Sequence, residues 1–287
     1  MTAATTLPLL GARDLDAPLV WRAGQPISAA QFLGEAAVMA ERLPARGMPI
    51  NLCQDRCHFA LGLAAALQRG QTSLMPPNAL PETLRQLGAA GDGIYVLADD
   101  EALDVARQPR AVVRRAADAA PQYTVPPVPV GLESVRLLTS GSTGAPRRHA
   151  KRWGPPVANI AAEAERLAQM LGRPTLAGVT LLATVPAQHS YGFESSVLLA
   201  LLGGAAFDAG RPFYPADIAA ALERLPEPRA LVTTPFHLKT LLRAGIVLPR
   251  TELLLSATAP LSPQLAGQAE AAMQGRLVEI YGCTEAG

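Results

Sequence analysis

Aromatic residues and cysteines are scarce in this 287-residue sequence. Phe, Trp and Tyr together make up 5% of the chain while hydrophobic residues reach 49%, so the core must be built from Leu, Val and Ala. Three cysteines are too few for a disulfide scaffold. Cys53 and Cys57 could form half of a metal site, but no second pair of cysteines accompanies them. We expect both thiols to act as small buried hydrophobes.

A marked net charge is missing as well. The chain has 25 basic and 24 acidic residues, a formal charge of +1, which gives no electrostatic footprint for nucleic acid or an anionic membrane. The first residues, MTAATTLPLLGARD, lack the basic region and the apolar length of a signal peptide. No uninterrupted apolar stretch reaches the ~20 residues that a spanning helix needs. We therefore expect a soluble cytoplasmic protein with no nucleic-acid partner and no membrane span.

What the sequence does contain is a regular alternation of short apolar runs and helical patterns. Strands are predicted at LVWR, PINLC, TSLM and IYVLA, and later at VRLLT, GVTLLATV, AAFD, RALVTT, TELLLSA and RLVEIY. Helical patterns separate them. In SAAQFLGEAAVMAERL, Ser28 and Gln31 have capping-box spacing, and Asp55 can cap the helix RCHFALGLAAALQRG. This alternation indicates βαβ units and a parallel sheet, which is the α/β class.

One stretch interrupts the alternation. PQYTVPPVPVG, residues 121–131, has four prolines and no helical periodicity, so it is predicted to be an extended linker. It divides the chain into an N-terminal α/β subdomain at residues 1–120 and a second α/β subdomain at residues 132–287. Each half has the element rhythm of an αβαβα-type subdomain.

The segment TSGSTGAP, Thr139–Pro146, follows an apolar run and carries four hydroxyl residues before its second glycine. Ligands bind at the loops that leave the carboxyl ends of strands in an open α/β sheet. Glycines let the backbone approach a ligand, and N–H and hydroxyl groups can donate to phosphate oxygens. The segment is not a Walker P-loop, because G-x-x-x-x-G-K-[ST] is absent. A plain turn is the alternative.

Three further motifs accompany this loop in order along the chain. They are HSYG (residues 189–192), SATAPLS (residues 256–262) and YGCTE (residues 281–285). Together with TSGSTGAPR the set resembles the signature motifs of the adenylate-forming superfamily, which includes acyl- and aryl-CoA synthetases, luciferases and peptide-synthetase adenylation domains. The phrases VWRAGQPIS and RGQTSLMPPN also resemble the branch of aryl-polyene pigment pathways, whose members load aryl acids onto carrier proteins.

The resemblance implies a nucleotide site. Thr284 would hydrogen-bond the α-phosphate of ATP, and Glu285 would bind Mg²⁺, because a hard cation prefers a carboxylate oxygen. The β- and γ-phosphates would be held by the loop and the cations after it: Thr139, Ser140, Gly141, Ser142, Thr143, Gly144, Arg147 and Lys151. The adenine would lie near Thr258, Ala259, Tyr281 and Gly282. For Tyr281 the alternative is a strand-end aromatic that packs on the core.

The resemblance also implies an acid pocket at HSYG. His189 would orient the carboxylate and complete the implied catalytic set with Thr284 and Glu285. Its alternative is a core histidine. Gly192 would leave width at the mouth of the pocket, while Tyr191 and Phe193 would offer flat surfaces to a planar ring.

Two positions depart from the family pattern. Arg147 replaces the usual lysine, keeping its charge and offering bidentate phosphate contact, and Lys151 is a candidate for the lysine's task. Ala257 and Thr258 replace the usual Gly-Gly, which narrows the approach to adenine.

The implied function is ATP-dependent activation of a carboxylic acid, such as a hydroxybenzoate, to an acyl-adenylate. Transfer to the thiol of a carrier protein or coenzyme A would follow. The alternatives are a fatty-acyl ligase and a non-catalytic nucleotide-binding module. Since the family's ribose-binding Asp and its lysine-bearing C-terminal domain lie beyond the fourth motif, we expect this chain to be two subdomains of the large N-terminal domain, with the C-terminal domain absent and little activity of its own.

Overall fold

The structure is a computed structural model that describes residues 5–76, 78–89, 93–139 and 147–282, with Thr139, Arg147 and Arg148 described by their backbone only. The described chain divides into two compact units. The first contains residues 5–11 and the described part of 28–159, and the second contains residues 12–27 and 160–282. Both units alternate strands and helices, which confirms the α/β prediction.

Six strands form the main sheet of the first unit in the part of it that is described. In spatial order they are β10 (Arg147–Arg152), β9 (Glu133–Thr139), β5 (Ser73–Met75), β4 (Met48–Asn51), β6 (Ile94–Ala98) and β7 (Arg110–Val112). The strands from β9 to β7 are parallel, and β10 is antiparallel to β9. Every residue of β6 is buried, as in parallel sheets that are covered on both faces.

Helices and a small ribbon complete the first unit. The helices are α1 (Ala29–Arg42), α2 (Arg56–Gln68) and α3 (Pro81–Ala89), and the ribbon pairs β1 (Thr6–Pro8) with β8 (Pro127–Pro129). Ser28 caps α1 by accepting a hydrogen bond from the Gln31 amide, and Asp55 caps α2 in the same way through His58. Both caps follow the sequence prediction. Cys53 and Cys57 are buried and neither forms a disulfide, which also agrees with the prediction.

The second unit is built on a seven-stranded sheet, counted over its described residues. In spatial order the strands are β15 (Arg276–Glu279), β14 (Leu253–Ser256), β13 (Arg229–Thr233), β11 (Thr180–Ala183), β12 (Ala206–Asp208), β2 (Pro18–Arg22) and β3 (Gln25–Ser28). Neighbouring strands from β15 to β2 are parallel. Leu182, Leu231 and Leu254 from three adjacent strands are fully buried in its core.

The helix α4 (Gly154–Met170) precedes β11, with residues 160–170 in this unit. The helices that connect these strands are α5 (Ser190–Gly192), α6 (Leu199–Gly203), α7 (Pro215–Arg224), α8 (Pro235–Arg243) and α9 (Pro263–Met273). Between α5 and α6 the chain forms a π-helical segment, Phe193–Leu198, a wider turn that is frequent at functional sites. No described helix is long and apolar enough to cross a membrane.

The two units do not divide at the predicted linker. Residues 121–131 belong to the first unit, where the Gln122 amide donates to the carbonyl of Ala30 and β8 pairs with β1. Residues 132–159, assigned by sequence to the second subdomain, also lie in the first unit because β9 pairs with β5. Residues 12–27, assigned by sequence to the N-terminal subdomain, belong to the second unit because β2 pairs with β12. Composition indicates an extended segment, but it does not indicate which distant strand that segment joins.

Candidate functional site

The sheet of the second unit changes its winding direction at β11. The chain passes from β11 to β12 on one side and then to β13 on the other. In open α/β sheets, ligands bind outside the carboxyl ends of the strands at such a point. Residues from three of the predicted motifs lie at this edge, since His189 follows β11, Thr258 follows β14 and Tyr281 follows β15. We call it the carboxyl edge of the second unit.

His189 stands at the N-terminus of α5. Its carbonyl accepts a hydrogen bond of 2.8 Å from the Phe193 amide, so the first turn of the helix fixes its backbone. The residue is exposed, and the alternative of a core histidine is therefore wrong. Desolvation lowers the pKa of the ring, and the positive charge of Arg211 lowers it further. His189 is thus biased toward the neutral imidazole, which can both donate and accept a hydrogen bond.

Tyr191 ties the same helix to a neighbouring strand. Its hydroxyl donates a 2.8 Å hydrogen bond to the carbonyl of Leu255 in β14. Burial raises the pKa of Tyr191 well above its usual value, so the hydroxyl stays protonated and remains a donor. The predicted contact between Tyr191 and a substrate ring remains a prediction.

Gly192 and Phe193 have packing roles, and their predicted contact with a substrate remains a prediction. A Cβ atom on Gly192 would lie 2.0 Å from the carbonyl oxygen of Pro186, so the glycine lets α5 pack against the preceding loop. Phe193 is 3% exposed, so its ring belongs to the core. The sequence marks both residues as small or flat but carries no signal for these packing partners.

A pair of carboxyl groups lies beside Tyr191. Glu163 on α4 and Glu194 in the π-helical segment interact electrostatically, and the Ser190 hydroxyl donates to Glu194 over 3.1 Å. Burial, with Glu194 as the second cause, raises the pKa of Glu163 to about 7. The Oε1 atom of Glu163 is buried without a hydrogen-bond partner. Sequence reasoning missed Glu163, because a glutamate in the middle of an alanine-rich helix carries no distinguishing pattern.

Hydroxyl groups end three adjacent strands at the carboxyl edge. Thr184 and Thr233, after β11 and at the end of β13, are hydrogen-bonded to each other at 3.0 Å. Ser256 ends β14, is fully buried, and has an Oγ atom without a partner. A buried hydroxyl that makes no hydrogen bond is costly. In the sequence, the signal for these three hydroxyl groups was a Ser or Thr at the end of each apolar run.

The region predicted to contact adenine lies beyond β14 and β15. Thr258 and Ala259 are exposed, and Thr258 has φ of 79°, a left-handed conformation that favours glycine. This explains in physical terms why glycine is the usual residue at this position of the family pattern. Tyr281 is fully exposed, so packing on the core is excluded for it, and the neighbouring Gly282 is exposed too. Glu279 accepts a hydrogen bond from the Leu261 amide and so ties the two segments together.

Other predicted site residues lie outside what the structure describes. These are Ser140, Gly141, Ser142, Thr143, Gly144, Thr284 and Glu285. The flanking residues place the loop between β9 and β10 of the first unit, with its ends at Thr139 and Arg147. Lys151 lies on β10, where its carbonyl accepts a 2.9 Å hydrogen bond from the Ser134 hydroxyl. Over the described residues, no group of three His, Cys, Asp or Glu side chains could hold a metal ion.

The chain is similar to a known family and to known structures. A family model described as "AMP-binding enzyme" matches residues 51–287, and no curated protein matches the sequence significantly. The ATP-bound structure of MatB from Rhodopseudomonas palustris matches with a TM-score of 0.74 and 18% identity over 95% of this chain and 58% of that chain. O-succinylbenzoate coenzyme A synthetase (MenE) from Bacillus subtilis, in complex with AMP, matches with a TM-score of 0.76 and 16% identity over 98% of this chain and 75% of that chain.

A malonyl-CoA ligase in a ternary product complex with methylmalonyl-CoA and AMP gives a TM-score of 0.74 and 21% identity, over 97% of this chain and 60% of that chain. At such identities the likeness is one of fold. The chain spans about 58% of the length of MatB.

Proposed function

Because the chain belongs to the AMP-binding enzyme family, we propose that the protein activates a carboxylic acid with ATP and passes the acyl group to a thiol. A carboxylate oxygen attacks the α-phosphorus, the bond to the bridging oxygen breaks, and pyrophosphate leaves. The thiol sulfur then attacks the acyl carbon, loses its proton, and AMP leaves. The observation that carries the proposal is the exposure of His189, Thr258 and Tyr281 at one carboxyl edge, where the fold favours ligand binding.

Each side chain has a chemical task under this proposal. A neutral His189 donates a hydrogen bond to the acid and orients its carboxylate without repelling the cations that the phosphates need. Tyr281 covers the adenine, and Thr258 and Ala259 border it. Thr284, the loop that begins at Thr139, Arg147 and Lys151 supply donors to the phosphates, because negative charge accumulates there as pyrophosphate leaves.

Magnesium is the proposed metal, with Glu285 as its protein ligand. A bound Mg²⁺ ion would neutralise phosphate charge at the departing pyrophosphate. The residue type fits, since carboxylate oxygen is what Mg²⁺ prefers. The ATP-bound and AMP-bound solved relatives support nucleotide binding by this fold.

The proposed acid is aromatic, in the manner of a hydroxybenzoate. The small size of Gly192 is not an argument for an aromatic acid, because the glycine is needed for packing against Pro186. What supports it is the resemblance to the pigment branch and a polar group at the strand ends, the buried unpartnered hydroxyl of Ser256. A hydroxyl on a planar ring would satisfy Ser256, whereas a long alkyl chain would not and would also lose more rotamer entropy on binding.

Pyrophosphate exchange tests the proposal directly. The whole protein would be supplied with ATP, Mg²⁺ and either benzoates or fatty acids, and exchange of labelled pyrophosphate into ATP would be measured. We expect exchange with hydroxybenzoates and loss of it in Glu285→Gln. Preference for fatty acids would overturn the aryl assignment, and nucleotide binding without exchange for any acid would favour the non-catalytic module.

The 287-residue chain tested by itself should exchange weakly. The part of MatB that has no counterpart in this chain is about two fifths of that protein, and losing even one donor to a transition state can cost ~100-fold. Exchange by this chain as fast as by a longer form would contradict this expectation.

A further inference from the structure

Three aromatic rings are exposed together on the second unit. Phe213 and Tyr214 are 57% and 68% exposed and precede α7, while Phe236 at the start of α8 is 64% exposed. Phe213 and Phe236 meet at His237, with ring centroids 5.3 and 5.5 Å from the imidazole in edge-to-face geometry, and Tyr214 packs edge-to-face on Phe213. Water-exposed aromatic surface of this size is unusual in a chain with only 5% aromatic residues.

The exposed face of α8 continues this patch with positive charge. Pro235, Leu238 and Leu241 face the core, so the opposite face presents Phe236, Lys239 and Arg243, which lie three and four residues apart. Lys239 and Arg243 are exposed, and no acidic residue occurs in the helix. Within the described residues neither cation forms an ion pair. We call Phe213, Tyr214, Phe236, Lys239 and Arg243 the α8 surface.

The α8 surface adjoins the carboxyl edge. Phe213 and Tyr214 end the loop after β12, and Arg211 of the same loop is close enough to His189 to lower its pKa. Phe236 lies in the first turn of α8, three residues after the end of β13. A partner bound here would therefore stand beside the edge at which the proposed acyl-adenylate forms.

We propose that the α8 surface docks an acidic segment of a carrier protein that supplies the acceptor thiol, an inference that rests on the proposed function. Rings at the centre with cations beside them match the composition of protein interfaces, where aromatic residues and Arg are enriched. The face extends about 10 Å along α8, which suits a helix of a partner. Coenzyme A is the alternative source of the thiol and serves as the second probe in the test.

The test uses the whole protein with two thiol probes, a phosphopantetheinylated acidic acyl carrier protein and coenzyme A. The variants are Phe236→Ala and Lys239→Glu. Their controls are Leu80→Ala, an exposed hydrophobic residue of the first unit, and Arg166→Glu on α4. Acylation of each thiol, pyrophosphate exchange without thiol, and binding of fluorescently labelled carrier would be measured at low and high salt.

We expect Phe236→Ala and Lys239→Glu to lower kcat/KM for the carrier about 10-fold or more. The change should be a rise in KM, with kcat little affected. Carrier binding should weaken in both variants and with added salt. Exchange, coenzyme A acylation and both controls should remain unchanged.

The docking proposal is overturned if carrier binding is absent or unaffected by both variants, if coenzyme A acylation falls equally, or if the variants instead dissociate an assembly of two copies of the chain. The binding measurement needs no turnover. An absence of exchange with every acid therefore counts against the proposed function, while salt-sensitive carrier binding that depends on Phe236 would still support the docking surface.

Discussion

The backbone at Gly192 lies against that of Pro186, where a methyl group would be 2.0 Å from a carbonyl oxygen. We expect Gly192→Ala to lower the free energy of unfolding by more than about 2 kcal/mol, because the backbone must move to admit the Cβ atom. Chemical denaturation followed by circular dichroism measures this. The matched control is Gly267→Ala within α9, where nothing lies within 4 Å and alanine should stabilise by up to about 1 kcal/mol. Equal effects of the two substitutions would contradict the packing role.

Glu163 makes the stability of the second unit depend on pH. Its pKa is raised from 4.5 to about 7, first by burial and then by Glu194. Because the folded state holds the proton more tightly than the unfolded state, this stabilisation is complete below pH 4.5 and is lost as pH rises through about 7. We expect Glu163→Gln to remove a decline on the order of 2 kcal/mol between pH 5 and pH 8.

Thermal unfolding at a series of pH values measures this effect. Glu165→Gln is the control, since Glu165 is exposed on the same helix. If Glu163→Gln and the unsubstituted chain lose stability in parallel across this range, another group is responsible for the decline.

At the scale of elements, Arg13 joins the segment before β2 to the end of α6. Its guanidinium donates to the carbonyls of Ala200 at 2.9 Å and Ala205 at 3.0 Å, and more weakly to those of Gly204 and Pro18. The carbonyl of Ala200 is in the last turn of α6, where the end of a helix leaves carbonyl groups without helical partners. Burial lowers the pKa of Arg13 to about 10, which leaves it charged at neutral pH.

Arg13→Lys should therefore lower the free energy of unfolding by about 1–3 kcal/mol, because an ammonium group cannot reach several carbonyls in the planar arrangement of a guanidinium. Denaturation with urea measures this. Arg224→Lys on the exposed surface of α7 is the control and should have little effect. If Arg13→Lys left the free energy of unfolding unchanged, water would be replacing the lost donors.

Elements with an apolar face or a continuous apolar run were predictable from sequence, and those defined by distant partners were not. α1 was predicted from its periodic apolar face, whereas α2 and β6 are buried on almost every residue and were predicted from their apolar runs, with the Asp55 cap as a further signal for α2. β10, with the sequence RRHAKR, was missed because an edge strand tolerates charge on both sides and shows no apolar alternation. The π-helical segment has no signal of its own in the sequence, because a wider turn changes backbone hydrogen bonding and leaves the composition of a helix unchanged.

The same distinction applies to the candidate site. His189, Thr258 and Tyr281 were found through motifs, and the carboxyl edge places all three in one unit. Glu163 and the pairing of Thr184 with Thr233 were not found. Their significance depends on burial and on neighbours that are distant in the chain, and local patterns report neither.

At the scale of the whole molecule, the two units exchange segments of sequence. The second unit needs residues 12–27, since β2 pairs with β12, while β9 and β10 belong to the sheet of the first unit. A chain beginning at residue 132 should therefore fail to fold, because it exposes the edge of β12 and carries two strands without their sheet. Amide dispersion in NMR spectra and resistance to proteolysis measure this outcome.

A second chain provides the comparison. It joins residues 12–28 to residues 160–282 through a flexible linker of about 15 residues, which costs little closure entropy. We expect this chain to be more protease-resistant than the one that begins at residue 132. The reverse order would mean that the predicted boundary at 121–131 describes folding better than strand pairing does.

The π-helical segment Phe193–Leu198 makes the length of the chain at this point matter more than its composition. A π-turn holds an extra residue compared with an α-turn, so deleting one residue could leave an ordinary helix that still packs through α6. The residues on either side would keep nearly the same angular phase, because the lost residue is the one that the wider turn had absorbed. Deleting two residues would exceed this allowance, and everything before the deletion would rotate by about 100° around the helix axis. Tyr191 would then turn away from Leu255, and His189 would turn away from the carboxyl edge. The segment therefore tolerates the loss of one residue, whereas the loss of a second would remove the histidine from the site while the helix itself survived.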